Sequence, residues 1–167
     1  DRFHVSRTLR RTLRDAPYRI TFDLAFARVL TACTQRDRSW MNDEYVEFFT
    51  ELHLAGLAHS VEAWSGEELA GGLYGLCLGG AFMGESMFSR MSDASKVCLV
   101  HLVARLRRQR FVLLDTQVIN SHTAQFGAYN VPHRQYVAQL NAAMALTREF
   151  GPPGPDDDYP ARQPPGA

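Results

Sequence analysis

Residues 59–88 read HSVEAWSGEELAGGLYGLCLGGAFMGESMF, and the period of this stretch decides the fold. Side chains alternate with a period of two through HSVEAW, LAGGLYGLCL and AFMGESMF. The breaks at SGEE and Gly79-Gly80 are turn chemistry, so the segment predicts a three-stranded antiparallel meander. Gly71, Gly72, Gly75, Gly79, Gly80 and Gly84 are more glycines than ordinary strands carry. Turns, bulges and close approach of a backbone or ligand are the physical reasons for glycine at that density.

Upstream of the meander the period is helical. Ser6 is placed to cap a short helix running through Arg14, with Leu9 and Leu13 on one face and Arg7, Arg10, Arg11 and Arg14 around the others. Residues 18–22 alternate like a strand, and Asp23 is placed to cap LAFARVLTAC, whose Phe26, Val29, Leu30 and Cys33 form a stripe. After the loop QRDRSW, Asn42 caps DEYVEFFTELHLA, whose acidic first turn suits the helix dipole and whose stop is Gly56.

Downstream, Ser92 or Asp93 caps a helix over about residues 95–108, with Leu99, Leu102, Val103 and Leu106 inward and Arg105, Arg107 and Arg108 outward. FVLLD reads as a buried strand, Gln125-Phe126-Gly127 closes a short helical turn, and Pro132 opens a last helix ending near Arg148. Helices, then a meander, then helix-strand-helix predict an α/β (α+β) domain with one mixed sheet flanked by helices. The domain is expected over residues 1–150, and the Pro- and Asp-rich stretch 151–167 is expected to be a disordered tail.

The 167 residues, 46% of them hydrophobic, suffice for one compact core. Outside the tail the chain carries 17 basic against 15 acidic residues, and five Arg fall within the first fourteen positions, so a polyanion would meet a local patch. Three cysteines in apolar surroundings, Cys33, Cys77 and Cys98, suit reduced thiols in a cytoplasmic protein better than a disulfide framework. No apolar run approaches the ~18 residues of a membrane span, and the start DRFHVSRTLRR has no signal-peptide core. The six histidines show no metal-ligand spacing and no GxxxxGK[ST] occurs, so neither a metal site nor nucleotide hydrolysis is expected.

Asp115 ends an apolar run and Gln117 follows two positions on; continued strand geometry would aim both side chains at one face. A carboxylate beyond the carboxyl end of such a strand can orient or deprotonate an amine, although a capping or ion-paired Asp after a core strand has the same pattern. Glu85 follows Gly84 in a strand otherwise made of Phe82, Met83, Met87 and Phe88, and a carboxylate against an apolar wall needs a partner, either a substrate ammonium or an Arg of the fold. Leu73, Phe82, Met87, Leu102, Leu106 and Leu114 form either an apolar pocket or plain core. Trp40, in an Arg-containing loop, can stack on a nucleobase or anchor the surface, and the face of Arg7, Arg10, Arg11 and Arg14 can track a phosphate backbone or be simply solvated.

The segments HVSR, WMNDEYVEFFTELHLAGLAHSVEAW, GGLYGLCLGGAFMGESMFSRMSDASK and LLDTQVINSHTAQFGA resemble, in the same order, the leucyl/phenylalanyl-tRNA–protein transferases over about residues 3–141. GESMFSR followed by ASK and then DxQ is long and specific. The resemblance implies a domain similar to the CoA-dependent N-acetyltransferase fold, with leucyl-tRNA or phenylalanyl-tRNA as donor and Met within reach. It implies an acceptor protein beginning with Arg or Lys, which the transferred residue marks for degradation. A cytoplasmic monomer that needs no cofactor and binds no membrane is the expectation.

By that resemblance Asp115 orients the acceptor α-amino group and Gln117 helps to position the reacting ester. Gly84 and Glu85 match the donor-site strand, with Ser86 and Met87 next along it. Leu73, Phe82, Leu102, Leu106 and Leu114 match positions around the amino-acid pocket, and Trp40 matches an aromatic that stacks near the terminal adenosine. Thr116 stands where the usual segment has Cys, and the family's segment before HVSR is not part of this sequence. Two other functions are compatible with parts of the pattern. A CoA-dependent N-acyltransferase would need a Q/RxxGxG/A loop that is not found, and a non-catalytic tRNA-binding module would need only the basic helix and Trp40.

Overall fold

The structure, a computed structural model, describes residues 2–15, 17–36 and 42–156. The meander forms as its period predicts: β2 (Ala58–Ser65), β3 (Glu68–Leu78) and β4 (Ala81–Ser89) are successive antiparallel neighbours. β1 (Arg19–Phe22) adds antiparallel to β2, and β5 (Leu113–Asp115) adds parallel to β4. With β6 (Gly154–Pro155) the order is β5-β4-β3-β2-β1-β6, a mixed six-stranded sheet. The parallel β4–β5 pair needs a long crossover, and α4 (Ala94–Arg108) supplies it.

Successive strand residues point to opposite faces, so Leu73 and Tyr74 divide the core. Leu73 joins α1 (Arg7–Asp15), through Leu9 and Leu13, and α4, through Leu99 and Leu102. Tyr74 joins α2 (Phe26–Arg36) and α3 (Asp43–Leu54), through Phe26, Leu30 and Phe49. The sheet is therefore the middle of three layers, an α/β arrangement compatible with the acetyltransferase-like fold expected above. Part of the glycine density has a packing cause: a Cβ on Gly71 would lie 2.7 Å from the Cβ of Ala94, so α4 presses on bare backbone. Cys33, Cys77 and Cys98 are buried free thiols. Among the described residues no helix is long and apolar enough to cross a membrane.

Four sequence expectations need correction. Arg105 is not outward but only 7% exposed. Its Nε donates to the Phe150 carbonyl at 2.7 Å and its Nη2 to the Pro152 carbonyl at 2.5 Å, and its guanidinium lies 4.0 Å from the centre of the Phe22 ring. Asp23 does not cap α2; it has φ +58°, and its carboxylate accepts from the Ser60 amide and contacts the His59 ring, both at 2.8 Å. The last helix, α6 (His133–Met144), stops four residues short of Arg148, where the Ala143 carbonyl accepts from the amides of Gly80 and Leu146.

The fourth concerns the C-terminal stretch, whose first residues are part of the sheet. β6 pairs with Thr21 and Phe22, and Asp156 binds His101 Nδ1 at 2.7 Å and Arg108 Nη2 at 2.9 Å. Residues 154–156 thus pack as part of the sheet, past the expected boundary at residue 150.

Candidate active site

The strand β4 delivers Glu85 through an irregularity. Tyr74 pairs with Ser86 and Gly75 with Gly84, which leaves Glu85 as the extra residue of a bulge. Bulges re-aim one side chain and interrupt pairing locally. Glu85 is half-buried, and desolvation is the main cause that raises its carboxyl above the ordinary range; the neighbouring Asp115 adds to the rise and a hydrogen bond from the Gln117 side chain opposes it. The sequence left an Arg or a substrate ammonium as the partner; within the fold the Gln117 side chain lies beside Glu85.

β5 carries Asp115 alongside, with Asp115 opposite Met83 in the parallel register. The strand ends there. Gln117 has φ +61°, so Asp115 and Gln117 do not share a face by strand alternation. Instead the chain folds back, and the Gln117 amide donates to Asp115 Oδ1 at 2.6 Å while its side chain reaches Glu85. The other carboxylate oxygen, Oδ2, accepts the Tyr136 hydroxyl at 2.6 Å. Sequence reasoning missed Tyr136, which lies 21 positions away on α6. Nothing short of the tertiary fold pairs it with Asp115.

Two cavities meet at this cluster. The first, about 970 Å³, is lined by Leu73, Tyr74, Gly84, Glu85, Ser86, Met87, Leu102 and Leu114. The second, about 560 Å³, is lined by Asp115, Gln117, Tyr129, Tyr136 and Gln139. Leu99, Leu114, Thr116 and Thr123 border both and form a common wall, with Glu85 lining the first cavity and Asp115 and Gln117 the second. One cavity combines an apolar interior with a carboxylate; the other presents a fixed carboxylate and two phenols. Such a pair can hold two reactants whose reacting atoms meet at the wall.

The remaining candidates divide. Leu73, Leu102 and Leu114 line the first cavity, but Phe82 and Leu106 do not line either one. Phe82 is fully buried and stacks on Phe150 at 5.7 Å between ring centroids, and Leu106 sits in the same core cluster. Tyr74 was not singled out from sequence, yet it lines the first cavity with its hydroxyl 2.8 Å from that of Tyr45, and burial raises both phenols. Arg90 and Lys96 also border this cavity, with Lys96 2.8 Å from Asp93. On α1, Arg7, Arg11 and Arg14 are exposed and Arg11 lies 3.8 Å from Asp15, whereas Arg10 is partly buried and its Nε donates to the Val5 carbonyl at 3.0 Å. Trp40 lies outside the described residues.

Comparison with known proteins bears on what two such cavities hold. A family model described as leucyl/phenylalanyl-tRNA protein transferase matches residues 1–141. The chain is 51% identical over 150 residues to a leucyl/phenylalanyl-tRNA–protein transferase of Herpetosiphon aurantiacus, covering 90% of this chain and 78% of that protein. It is 51% identical over 151 residues to the protein of that name from Rubrobacter xylanophilus, covering 90% and 79%. For the one from Phenylobacterium zucineum the identity is 52% over 152 residues, covering 89% and 69%.

Proposed function

The chain belongs to the leucyl/phenylalanyl-tRNA–protein transferase family, and on that premise we propose that it is an aminoacyltransferase that moves an amino acid from aminoacyl-tRNA to a protein. The donors are leucyl-tRNA and phenylalanyl-tRNA, with Met tolerated, and the acceptors are proteins beginning with Arg or Lys, thereby marked for degradation. The enzyme acts as a monomer in the cytoplasm. The observation that carries this reading is that Glu85 lines the first cavity and Asp115 and Gln117 line the second, across a wall that Leu99, Leu114, Thr116 and Thr123 share.

In this reading the first cavity takes the donor's aminoacyl group. Leu73, Leu102, Leu114 and Met87 surround its side chain, and Glu85 faces its α-ammonium. An apolar pocket distinguishes ligands by only about 1–3 kcal/mol per methylene, which supports tolerance among Leu, Phe and Met. The second cavity takes the acceptor N-terminus, whose amine Asp115 orients. Gln117, joined to both carboxylates, positions the ester between them.

The amine nitrogen attacks the ester carbonyl, a new C–N bond forms, and the C–O bond to the terminal ribose breaks. The proton lost by the amine leaves with the ribose oxygen. The ester is already activated, so holding the two groups at attack distance supplies much of the rate without a covalent intermediate. Exposed Arg7, Arg11 and Arg14, with Arg90 and Lys96 at the first cavity, offer cations to the tRNA backbone.

The test is single-turnover transfer from leucyl-tRNA to an Arg-starting peptide, with leucyl-CoA as the competing donor. Asp115→Asn keeps the shape and removes the charge, so transfer should fall about 10²–10⁴-fold while leucyl-tRNA binding is retained. Transfer at the unmodified rate removes Asp115 from the site, and transfer from leucyl-CoA alone overturns the reading.

A further inference from the structure

We propose that Tyr136 is a positioning residue for the reaction, a phenol that fixes the Asp115 carboxylate at Oδ2, the oxygen the local backbone does not hold. The inference rests on the reading of Asp115 as the group that orients the acceptor amine.

The carboxylate is held at both oxygens from two parts of the chain. The Gln117 amide donates to Oδ1 and the Tyr136 hydroxyl to Oδ2, each at 2.6 Å. One donor is local, two residues along; the other arrives on α6 from 21 residues away. A carboxylate with one local donor can still swing about its side-chain torsions. With a second donor of different origin, the free lone pairs keep one direction. The Tyr136 bond, at 2.6 Å, has the length of the short O–H···O class.

Tyr136 acts here only as a donor. The hydrogen bond to Asp115 is the main cause that pushes its phenol up to about 12, so the proton stays on Tyr136 across the working range and the residue is no base.

Its carrier is anchored. The Gly80 amide donates to the Ala143 carbonyl at 2.8 Å, and a Cβ on Gly79 would lie 2.7 Å from that same oxygen. The C-terminal end of α6 therefore sits against the β3–β4 turn, and β4 is the strand that bears Glu85. Tyr136 and Gln139, three apart on one helical face, both line the second cavity. The helix thus ties the acceptor-side carboxylate to the strand that carries the donor-side one.

The experiment is a double-mutant cycle read by single-turnover transfer from leucyl-tRNA to an Arg-starting peptide, using wild type, Y136F, D115N and D115N/Y136F. Leucyl-tRNA binding and thermal melts are measured on each. Y136F should lower the transfer rate about 10-fold, leave leucyl-tRNA affinity within about twofold, and add less than about twofold to the loss already caused by D115N. The thermal melts separate loss of the donor from any loss of fold. Wild-type transfer by Y136F beside an impaired D115N overturns the inference and leaves the function standing. An undiminished Y136F effect in the D115N background also overturns it, because Tyr136 would then act independently of Asp115. Unimpaired D115N overturns the Asp115 assignment and this inference with it.

Discussion

Gly75 and Gly84 are paired across the β3–β4 ladder, yet the same substitution at the two should have opposite consequences. A Cβ on Gly75 would lie 2.2 Å from the Met83 carbonyl oxygen and 2.5 Å from the Phe82 ring, in a core where Phe82 is fully buried. Neither neighbour can retreat without moving the strand. Overpacking of this kind costs about 1–3 kcal/mol or more, and each kcal/mol lowers the Tm of a domain this size by about 2–4 °C. A Cβ on Gly84 meets only the Asp115 carbonyl oxygen, at 3.4 Å, which is ordinary contact. Gly84→Ala should therefore melt within about 2 °C of wild type. The added methyl, however, stands at a residue lining the first cavity beside Glu85. A methylene in an apolar site is worth about 1–3 kcal/mol, so kcat/KM for leucyl-tRNA should fall about 5- to 150-fold in Gly84→Ala. The assay is steady-state transfer with leucyl-tRNA varied and an Arg-starting peptide saturating, alongside calorimetric melts of both variants. If Gly84→Ala keeps the wild-type kcat/KM, the first cavity is not the donor site. If it melts as early as Gly75→Ala, the packing argument is wrong.

Replacing Arg7, Arg11 and Arg14 together by Gln should weaken tRNA binding and reduce the slope of log K against log salt by about one unit for each phosphate no longer neutralised, with an unchanged slope counting against the patch; Arg10 is left out because its Nε already serves the Val5 carbonyl. Glu62 is fully buried, accepts from the Ser60 and Thr21 hydroxyls, and desolvation, the largest cause, raises its carboxyl. The folded chain holds this proton more tightly than the unfolded one, so the stability it contributes is complete below the ordinary carboxylate value and is lost as pH rises through the raised one. Melts from about pH 4 upward should show Glu62→Gln flattening that decline, and a variant that declines as steeply as wild type would exclude Glu62 as its source.

The meander was legible because period two and turn glycines are local signals, whereas the shifts of register at Ala63–Trp64 and at Tyr74–Gly75 were not. The elements that failed drew on partners distant in sequence. Arg105 lies on a helix whose spacing sets it outward, but carbonyls of Phe150 and Pro152, 45 and 47 positions later, supply acceptors that let the guanidinium stay inside. Asp23 looked like a cap because capping is local; its ligands are His59 and the Ser60 amide on β2. At the candidate site, Asp115, Gln117 and Glu85 were legible by residue type and resemblance, whereas their contact was not. The positive φ of Gln117 breaks the alternation that sequence reading assumed and brings its side chain to Glu85 by another route. Phe82 and Leu106 have the same apolar character as Leu73 and Leu102, and only packing separates core from cavity wall.

The short stretch from Gly154 to Asp156 has a bearing on self-association. An open strand edge is a template on which another chain can add by backbone pairing. β1 would offer such an edge, but Gly154–Pro155 covers it opposite Thr21 and Phe22, and the Asp156 amide extends the cover to the Ile20 carbonyl at 3.0 Å. Pro155 has no amide hydrogen to offer outward. The clasp of Asp156 by His101 and Arg108 keeps this selvedge in place, since two paired residues alone would peel. At the other margin β5 is three residues long. Among the described residues both borders of the sheet are therefore short, three residues at β5 and two at β6, which limits the backbone that a second copy could pair with by strand addition.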